Sequence, residues 1–147
     1  MDIRKLTESD YDQVIELYCA LDEFHVQALP DHFVPRNKEQ VYPKDAYIHN
    51  LSYPNGLELG AFEGETLAGI VRATLWEESG MRKDLKMVCL DDIYVLPAYR
   101  RKGIAAKLVS HAIAAIHLRG GVVTASCSYA QKYIEKHGLR PAVICHM

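Results

Sequence analysis

The pattern of apolar and polar residues changes abruptly in the middle of the chain, and the change predicts a strand followed by a helix. Residues 88–96 (VCLDDIYVL) are apolar, β-branched or aromatic except for one acidic pair, a composition typical of a mostly buried strand. Pro97 ends this strand because it has no N–H to donate to a neighbour. From Ile104 onward apolar residues recur at every fourth position, which predicts a helix with one apolar face, formed by Ile104, Leu108, Ala112 and Ile116.

Shorter elements are predicted on both sides of this central pair. A first strand covers Ile3–Leu6, and a helix starts near Thr7, which precedes acidic residues, and runs to about Phe24 or Val26. A loop rich in proline follows, residues 27–43. The remaining predicted elements are a helix over Lys44–Leu51, strands over Leu57–Phe62 and Leu67–Trp76 joined by a hairpin turn at residues 63–65, a strand over Val122–Cys127, a helix over Tyr129–His137 and a last strand over Val143–Met147.

Length and composition describe an ordinary globular protein. The 147 residues predict a single domain, 1–147, with 49% hydrophobic and 24% charged residues and a net charge of −2. This charge argues against a nucleic-acid-binding protein. No apolar run approaches the roughly 20 residues needed to cross a membrane, and the polar N-terminus is unlike a signal peptide, so we expect a cytoplasmic protein. The four cysteines lack C-x-x-C spacing, so we expect neither a metal site nor a disulfide framework.

The turn between the central strand and the helix is suited to binding an anion. Residues 98–103 (AYRRKG) carry three positive charges and one glycine. The first turn of a helix has about four N–H groups without partners and the positive end of the helix dipole. Gly103 lets the backbone approach a ligand closely, so a phosphate or pyrophosphate is the expected ligand. The alternative is a basic loop that only contacts water.

The sequence around this turn resembles a known family. Arg100-x-x-Gly103-x-Ala105, preceded by Val95-x-Pro97-x-Tyr99, is similar to the acetyl-CoA loop of the GCN5-related N-acetyltransferases (GNAT). The resemblance implies the GNAT fold, an α+β structure (an α/β/α sandwich) with a mixed, mostly antiparallel central sheet flanked by about four helices. It also implies that acetyl-CoA is the acetyl donor, that no metal is needed and that the acetyl group passes directly to a primary amine.

The resemblance assigns acetyl-CoA to the central strand and the turn. In such enzymes the sheet splays apart beside the central strand, and the pantetheine arm lies in the gap. Its partners here would be the backbone groups of Ile93, Tyr94 and Val95. The pyrophosphate would be cradled by the amides that start the helix, those of Arg101, Lys102, Gly103, Ile104, Ala105 and Ala106. Arg100 and Arg101 would add positive charge, unless their side chains point into water.

The resemblance also suggests catalytic residues. An alkylamine has a pKa near ~10.4, so a base must remove its proton before attack. Polyamine acetyltransferases, which the central strand resembles, have an acidic pair there whose first member is the proposed base, here Asp91 acting through water. The alternative is that both carboxylates only position the loop. Alternation along a strand predicts that Asp91 and Asp92 lie on opposite faces.

The acid that protonates the leaving thiolate is less well marked. The family pattern N-x-x-A-x-x-x-Y-x-x-x-G-F would place its Asn at Cys127 and its Tyr at Ile134 in this sequence. Tyr133 lies one residue earlier, and one residue turns a helix by about 100°. Tyr133 is therefore either the acid or a core aromatic residue.

The acceptor would be bound by the first third of the chain. Residues 23–35 (EFHVQALPDHFVP) would cover the acceptor side of the cleft, with aromatic and His side chains lining it and acidic ones attracting a cation: Phe24, His25, His32, Phe33, Asp22, Glu23 and Asp31. His25 is a second candidate for the base. The expected acceptor is a small-molecule amine. A protein or peptide amine and a non-catalytic acetyl-CoA-binding module are the alternatives, and a homodimer could form through an exposed sheet edge.

Overall fold

The computed structural model describes residues 1–78, 85–116 and 122–125, which are built around one five-stranded sheet. The strands lie in the order β1-β2-β3-β4-β5, and the pairs β1–β2, β2–β3 and β3–β4 are antiparallel. β5 runs parallel to β4. The predicted mixed, mostly antiparallel sheet is therefore confirmed. The strand bounds are Asp2–Lys5 (β1), Gly56–Glu63 (β2), Thr66–Glu78 (β3), Leu85–Val95 (β4) and Val122–Ala125 (β5).

Four α-helices accompany the sheet in the described ranges: Tyr11–Ala28 (α1), Lys38–Val41 (α2), Lys44–Leu51 (α3) and Ile104–Ile116 (α4). α3 has the predicted bounds, and α4 begins at the predicted residue. Single 3₁₀ turns precede α1 and α4, at Glu8–Asp10 and Pro97–Tyr99.

The short helix α2 was not predicted, and it lies in the predicted loop. Its start is fixed by two reciprocal hydrogen bonds. The Gln40 backbone N–H donates to the Asn37 side chain at 2.9 Å, and the Asn37 backbone N–H donates to Gln40 Oε1 at 3.0 Å. This is a capping box, with Asn and Gln in place of the commoner Ser or Thr and Glu.

Apolar side chains pack on both faces of the sheet, which gives three layers. Ile70 and Val71 are neighbours on β3 and lie in different buried clusters, as alternation along a strand requires. The cluster containing Val71 includes α4 residues, and the cluster containing Ile70 includes residues of α1 and α3. The predicted α/β/α arrangement is thus present. The predicted C-terminal helix (Tyr129–His137) and last strand (Val143–Met147) lie outside the described residues.

A β-bulge interrupts β4 at the acidic pair. Arg72 on β3 is opposite Asp92, whereas Ala73 is opposite Leu90, so Asp91 is the extra residue. The bulge cancels one step of alternation, and Leu90 and Ile93 consequently share the cluster under α4. The prediction that Asp91 and Asp92 lie on opposite faces is therefore wrong.

Candidate active site

Charged side chains form a row across three strands on the face covered by α1. Glu58 on β2 is the register partner of Arg72 on β3, and Arg72 is the register partner of Asp92 on β4. Arg72 Nη2 is 2.8 Å from Asp92 Oδ2. The bulge places Asp91 on the same face, where its Oδ2 accepts a hydrogen bond from Thr74 Oγ1 at 2.6 Å. Both carboxylates of the acidic pair therefore face the same side.

Glu58 is buried, and hydrogen bonds from two tyrosines compensate its charge. Only 6% of Glu58 is exposed. The Tyr42 hydroxyl lies 3.1 and 3.0 Å from its two oxygens, and the Tyr18 hydroxyl donates at 3.4 Å. Burial raises the pKa of Glu58, while the hydrogen bonds and Arg72 lower it less, so the net direction is upward. Burial and the Glu58 charge raise the pKa of Tyr42 to about 12, so Tyr42 stays a hydrogen-bond donor at neutral pH.

Asp92 and Arg72 form the central ion pair of this row. Burial raises the pKa of Asp92, and the positive charge of Arg72 opposes that rise without cancelling it. The guanidinium also lies near two aromatic rings, 6.0 Å from the centre of Tyr18 and 5.8 Å from that of Tyr42. Arg72 is thereby held in place between Glu58 on β2 and Asp92 on β4.

A cleft of about 110 Å³ opens above this row. Helix α1, the segment that follows it and strands β3 and β4 supply its walls, lined by Tyr18, Leu21, Asp22, His25, Arg36, Val41, Tyr42, Arg72 and Asp92. The lining itself is balanced in charge, because Asp22 and Asp92 are paired with the guanidinium groups of Arg36 and Arg72 respectively. Two further carboxylates, Glu58 and Asp91, lie on the same face of the sheet outside the lining.

Arg36 and His25 line the α1 side of the cleft. Arg36 reaches from the segment after α1 to Asp22, with Nε 3.2 Å from Oδ1 and Nη2 also bonded to that oxygen. Burial lowers the pKa of His25, while Asp92 and Asp22 act in the opposite direction, so the imidazole is neutral at pH 7. His25 Nε2 is buried and has no hydrogen-bond partner among the described residues. Its ring stacks on Phe33, with centroids 5.3 Å apart.

The structure brings only part of the predicted acceptor set together. Asp22 and His25 line the cleft, and Phe33 borders it through the His25 ring. The Phe24 ring meets the His25 ring edge-on, with the ring centroids 6.4 Å apart. The side chains of Glu23, Asp31 and His32 are exposed and do not line the cleft.

Glu58, Arg72, Tyr18 and Tyr42 were missed by the sequence reasoning. A signal existed for two of them, because Glu58 and Arg72 interrupt apolar strand segments at positions that alternation assigns to a covered face.

The basic turn has the backbone shape expected of an anion site. Gly103 has a φ of 76°, and no atom lies within 4 Å of where its Cβ would stand. Arg101 also has a positive φ, 65°. The first hydrogen bond of α4 runs from the Lys107 N–H to the Gly103 carbonyl at 3.1 Å. The amides ahead of Lys107 are therefore at the N-terminus of the helix, with open space above Gly103, an arrangement common at phosphate-binding sites.

The side chains around the turn do not all point toward this space. Arg100 Nε donates to the Val95 carbonyl at 2.8 Å, and its guanidinium lies 5.2 Å from the Tyr94 ring. Arg100 thus ties the turn to the end of β4. The Lys102 ammonium lies 5.6 Å from the Tyr99 ring, and Arg101 is exposed.

Among the described residues, the edge of β4 that faces β5 is paired over only part of its length. The parallel register joins Met87–Leu90 to Val122–Ala125. Beyond Leu90, the described residues supply no strand on that side of Ile93, Tyr94 and Val95. These backbone groups therefore lie beyond the last described pair of the two strands. Tyr133 lies outside the described residues.

The described ranges contain neither a metal-binding cluster nor a membrane-spanning helix. In this part of the chain, no three His, Cys, Asp or Glu side chains are grouped so as to hold a metal ion. Within the same ranges, every helix is too short or too polar to cross a lipid bilayer.

Comparison with known proteins gives a family and a fold. Residues 15–139 match the family model described as Acetyltransferase (GNAT) family. No curated protein sequence matches this chain significantly.

Several solved structures are similar in fold. A mutant of the BH1408 protein from Bacillus halodurans superposes with a TM-score of 0.81 at 20% identity, covering 100% of this chain and 97% of the other. PaiA N-acetyltransferase from Thermoplasma acidophilum, in complex with coenzyme A, gives 0.66 at 20% identity (92% and 87% covered). An aminoglycoside acetyltransferase from an uncultured soil metagenomic sample gives 0.66 at 20% identity (99% and 95% covered). At such identity these structures show the fold and leave the acceptor open.

Proposed function

Because the chain belongs to the GNAT family of acetyl-CoA-dependent acetyltransferases, we propose that it acetylates the primary amine of a small molecule bound in the cleft above Arg72 and Asp92. The observation that carries the proposal is the cleft itself. It is small, at about 110 Å³, and its lining includes two carboxylates, Asp22 and Asp92, and the rings of Tyr18 and Tyr42. A pocket of this size favours a small ligand over a folded protein surface, and its carboxylates and ring faces can contact a protonated amine.

The donor would lie along β4 and the basic turn. The backbone groups of Ile93, Tyr94 and Val95 would hold the pantetheine arm. The Val95 carbonyl already accepts a hydrogen bond from Arg100, so only its second lone pair would be available to the ligand. The amides of the six residues predicted for the pyrophosphate, from Arg101 to Ala106, would cradle it above Gly103. Arg100 would act mainly by fixing the turn. When bound, acetyl-CoA supplies an acyl group activated by its thiol leaving group.

We assign the base to Asp91, which lies on the same sheet face as the cleft, although only Asp92 of the acidic pair lines the cleft. Asp92 is paired with Arg72, so taking up a proton would leave a largely covered guanidinium without its counter-charge. Asp91 is half-buried and held by Thr74, and the bulge turns it to the same face as the cleft. Asp91 would take the proton of the amine through a water molecule, while Asp92 keeps Arg72 in place. Tyr133 remains our proposal for the acid.

The proposal is tested by a thiol-release assay with acetyl-CoA against polyamines, alkyl and aryl amines, aminoglycosides, amino acids and short peptides. We expect turnover on a small-molecule class. Turnover on peptides alone would instead indicate a protein or peptide acetyltransferase. If calorimetry showed acetyl-CoA binding but no acceptor was turned over, the chain would be a non-catalytic acetyl-CoA-binding module.

The two aspartates are distinguished by paired variants. Asp91→Asn should lower kcat/KM by about 10²-fold or more and leave acetyl-CoA affinity unchanged. Asp92→Asn should mainly destabilise the protein, by about 2 kcal/mol, because it unpairs Arg72. If Asp91→Asn retained full turnover, the base would have to be assigned elsewhere. A cytoplasmic location and a homodimer remain predictions, which fractionation and light scattering would test.

A further inference from the structure

The segment between α1 and α2, residues 29–37, lies on the surface beside the cleft, and we call it the strap. Every residue of the strap is exposed, and the segment forms neither helix nor strand. Its backbone turns through local hydrogen bonds, in which the His32 and Phe33 N–H groups both donate to the Leu29 carbonyl, at 3.0 and 3.2 Å. Side chains, rather than a backbone ladder, therefore connect the strap to the rest of the protein.

The Phe33 and Arg36 side chains join the strap to helix α1, and their partners, His25 and Asp22, both line the cleft. The Phe33 ring stacks on the His25 ring, with centroids 5.3 Å apart. The Arg36 guanidinium is paired with Asp22, with Nε 3.2 Å from Oδ1 and Nη2 bonded to the same oxygen. One carboxylate of the cleft is thus occupied by a cation that the chain itself supplies.

The two ion pairs of the cleft lining differ in how easily the cation can leave. Arg72 belongs to a central strand of the sheet, and its backbone is fixed between β2 and β4 beside Asp92. Arg36 belongs to the strap, and its side chain is 44% exposed, so moving away from Asp22 returns a partly hydrated group to water. The Asp22 side chain is only 10% exposed and needs a cation beside it whenever Arg36 is away. Arg36–Asp22 is therefore the exchangeable pair.

An acceptor amine arrives as a cation, because an alkylamine with a pKa of about 10.4 is protonated at neutral pH. Its ammonium group can replace the guanidinium beside Asp22, which exchanges one ion pair for another and leaves no buried carboxylate unpaired.

We infer that Asp22 is the binding site for the ammonium group of the acceptor, and that Arg36 occupies this site in the free protein as an internal competitor. This inference rests on the proposed function, since it assigns a binding residue to the acceptor of that same site. Removal of the proton from the bound amine still falls to Asp91.

The inference predicts the sign of the effect of removing Arg36. An internal competitor weakens ligand binding by the fraction of molecules in which the site is free. A partly exposed ion pair changes that fraction about two- to fivefold. Arg36→Gln should therefore lower KM for the amine about two- to fivefold at an unchanged kcat. If Arg36 only shaped the wall of the cleft, its removal would loosen the wall and raise KM.

The test uses hexylamine and cadaverine, a singly and a doubly charged alkylamine. Thiol release with acetyl-CoA gives KM and kcat, and calorimetric titration with CoA bound gives a Kd that does not depend on turnover. Asp22→Asn should raise KM and Kd about tenfold or more, because the ammonium group loses its charged partner. Adding Arg36→Gln to Asp22→Asn should change neither constant further, since no competition remains.

Lys38→Gln is the matched control. Lys38 on α2 pairs with Glu16 on α1, so it joins nearly the same parts of the chain as Arg36 does, but neither residue lines the cleft. Both side chains are highly exposed, at 62% and 61%. The loss of this pair should leave KM and Kd for both amines as they are in the wild type.

The outcomes separate this inference from the proposed function. An unchanged or raised KM and Kd in Arg36→Gln, an equal fall in Lys38→Gln, or the failure of the wild type to bind either amine would each overturn the inference. Transfer to any small-molecule acceptor alongside such a result would leave the proposed function standing. Binding that tightens in Arg36→Gln and weakens in Asp22→Asn, without transfer to any acceptor, would overturn the proposed function and keep Asp22 as a cation site.

Discussion

Gly103 and Gly64 offer a matched pair for testing the acetyl-CoA loop. Both have positive φ, 76° and 61°, and neither has an atom within 4 Å of the position of a Cβ. Gly64 lies in the turn between β2 and β3, away from the basic turn. An alanine at either position therefore meets no clash and costs only the strain of a left-handed backbone, about 1 kcal/mol. For a chain of this size that corresponds to about 3 °C in Tm.

The two variants should differ only when acetyl-CoA is added. At a ligand concentration about 100-fold above Kd, the wild type gains about 2.7 kcal/mol, or about 8 °C in a thermal melt. Gly64→Ala should gain the same amount. In Gly103→Ala the new methyl group would stand where the phosphate approaches the backbone. If affinity falls about tenfold, the gain at that concentration is only about 1.4 kcal/mol.

Gly103→Glu should abolish the gain, because the carboxylate repels the pyrophosphate as well as blocking it. Differential scanning fluorimetry across an acetyl-CoA titration measures all of these shifts. The assignment of the loop would be refuted if Gly103→Ala and Gly64→Ala showed equal shifts that matched the wild type. Equal loss of the shift in both variants would point to a general effect of lowered stability and would refute it too.

Two further predictions concern stability at low pH and the proposed acid. The Arg4 guanidinium, 2.9 and 3.0 Å from the Asp10 oxygens, holds the pKa of Asp10 below its usual value. The ion pair's contribution to folding stability is therefore complete above the unfolded-state pKa of Asp10, and it is lost as the pH falls through the lower folded-state pKa. In urea melts, the stability difference between wild type and Asp10→Asn should shrink between about pH 5 and about pH 2; a constant difference would contradict this. Tyr133→Phe should lower kcat and leave acetyl-CoA affinity unchanged; an unaltered kcat would make Tyr133 a packing residue.

Local patterns were enough to predict most of the described fold. The start of α4 at Ile104 follows from apolar residues at helical spacing after a glycine, and Lys44–Leu51 follows a proline that suits a helix start. The turn at Gly64 was marked by Glu-Gly-Glu between two apolar runs. In each case the signal lies within a few residues of the element that it predicts.

The site depended on contacts between distant positions, and these were predicted poorly. Glu58 receives its hydrogen bonds from Tyr18 and Tyr42, which are 40 and 16 residues away. Alternation gave the wrong faces for the acidic pair because a bulge depends on the partner strand, which the sequence of β4 does not specify. Helix α2 was the avoidable error, since Asn37-x-x-Gln40 was visible as a helix start.

The row of Glu58, Arg72 and Asp92 also bears on how the strands find their alignment. Shifting β3 by one residue would turn Arg72 toward the apolar cluster under α4 and would leave two acids without their shared counter-charge. Such a misaligned sheet would bury an unpaired guanidinium, which is far more costly than misplacing one methyl group. The charged row on this face of the sheet therefore also fixes the register of the strands. Evolution of a new acceptor preference is thus expected to proceed through the α1–α2 segment and to leave this row unchanged.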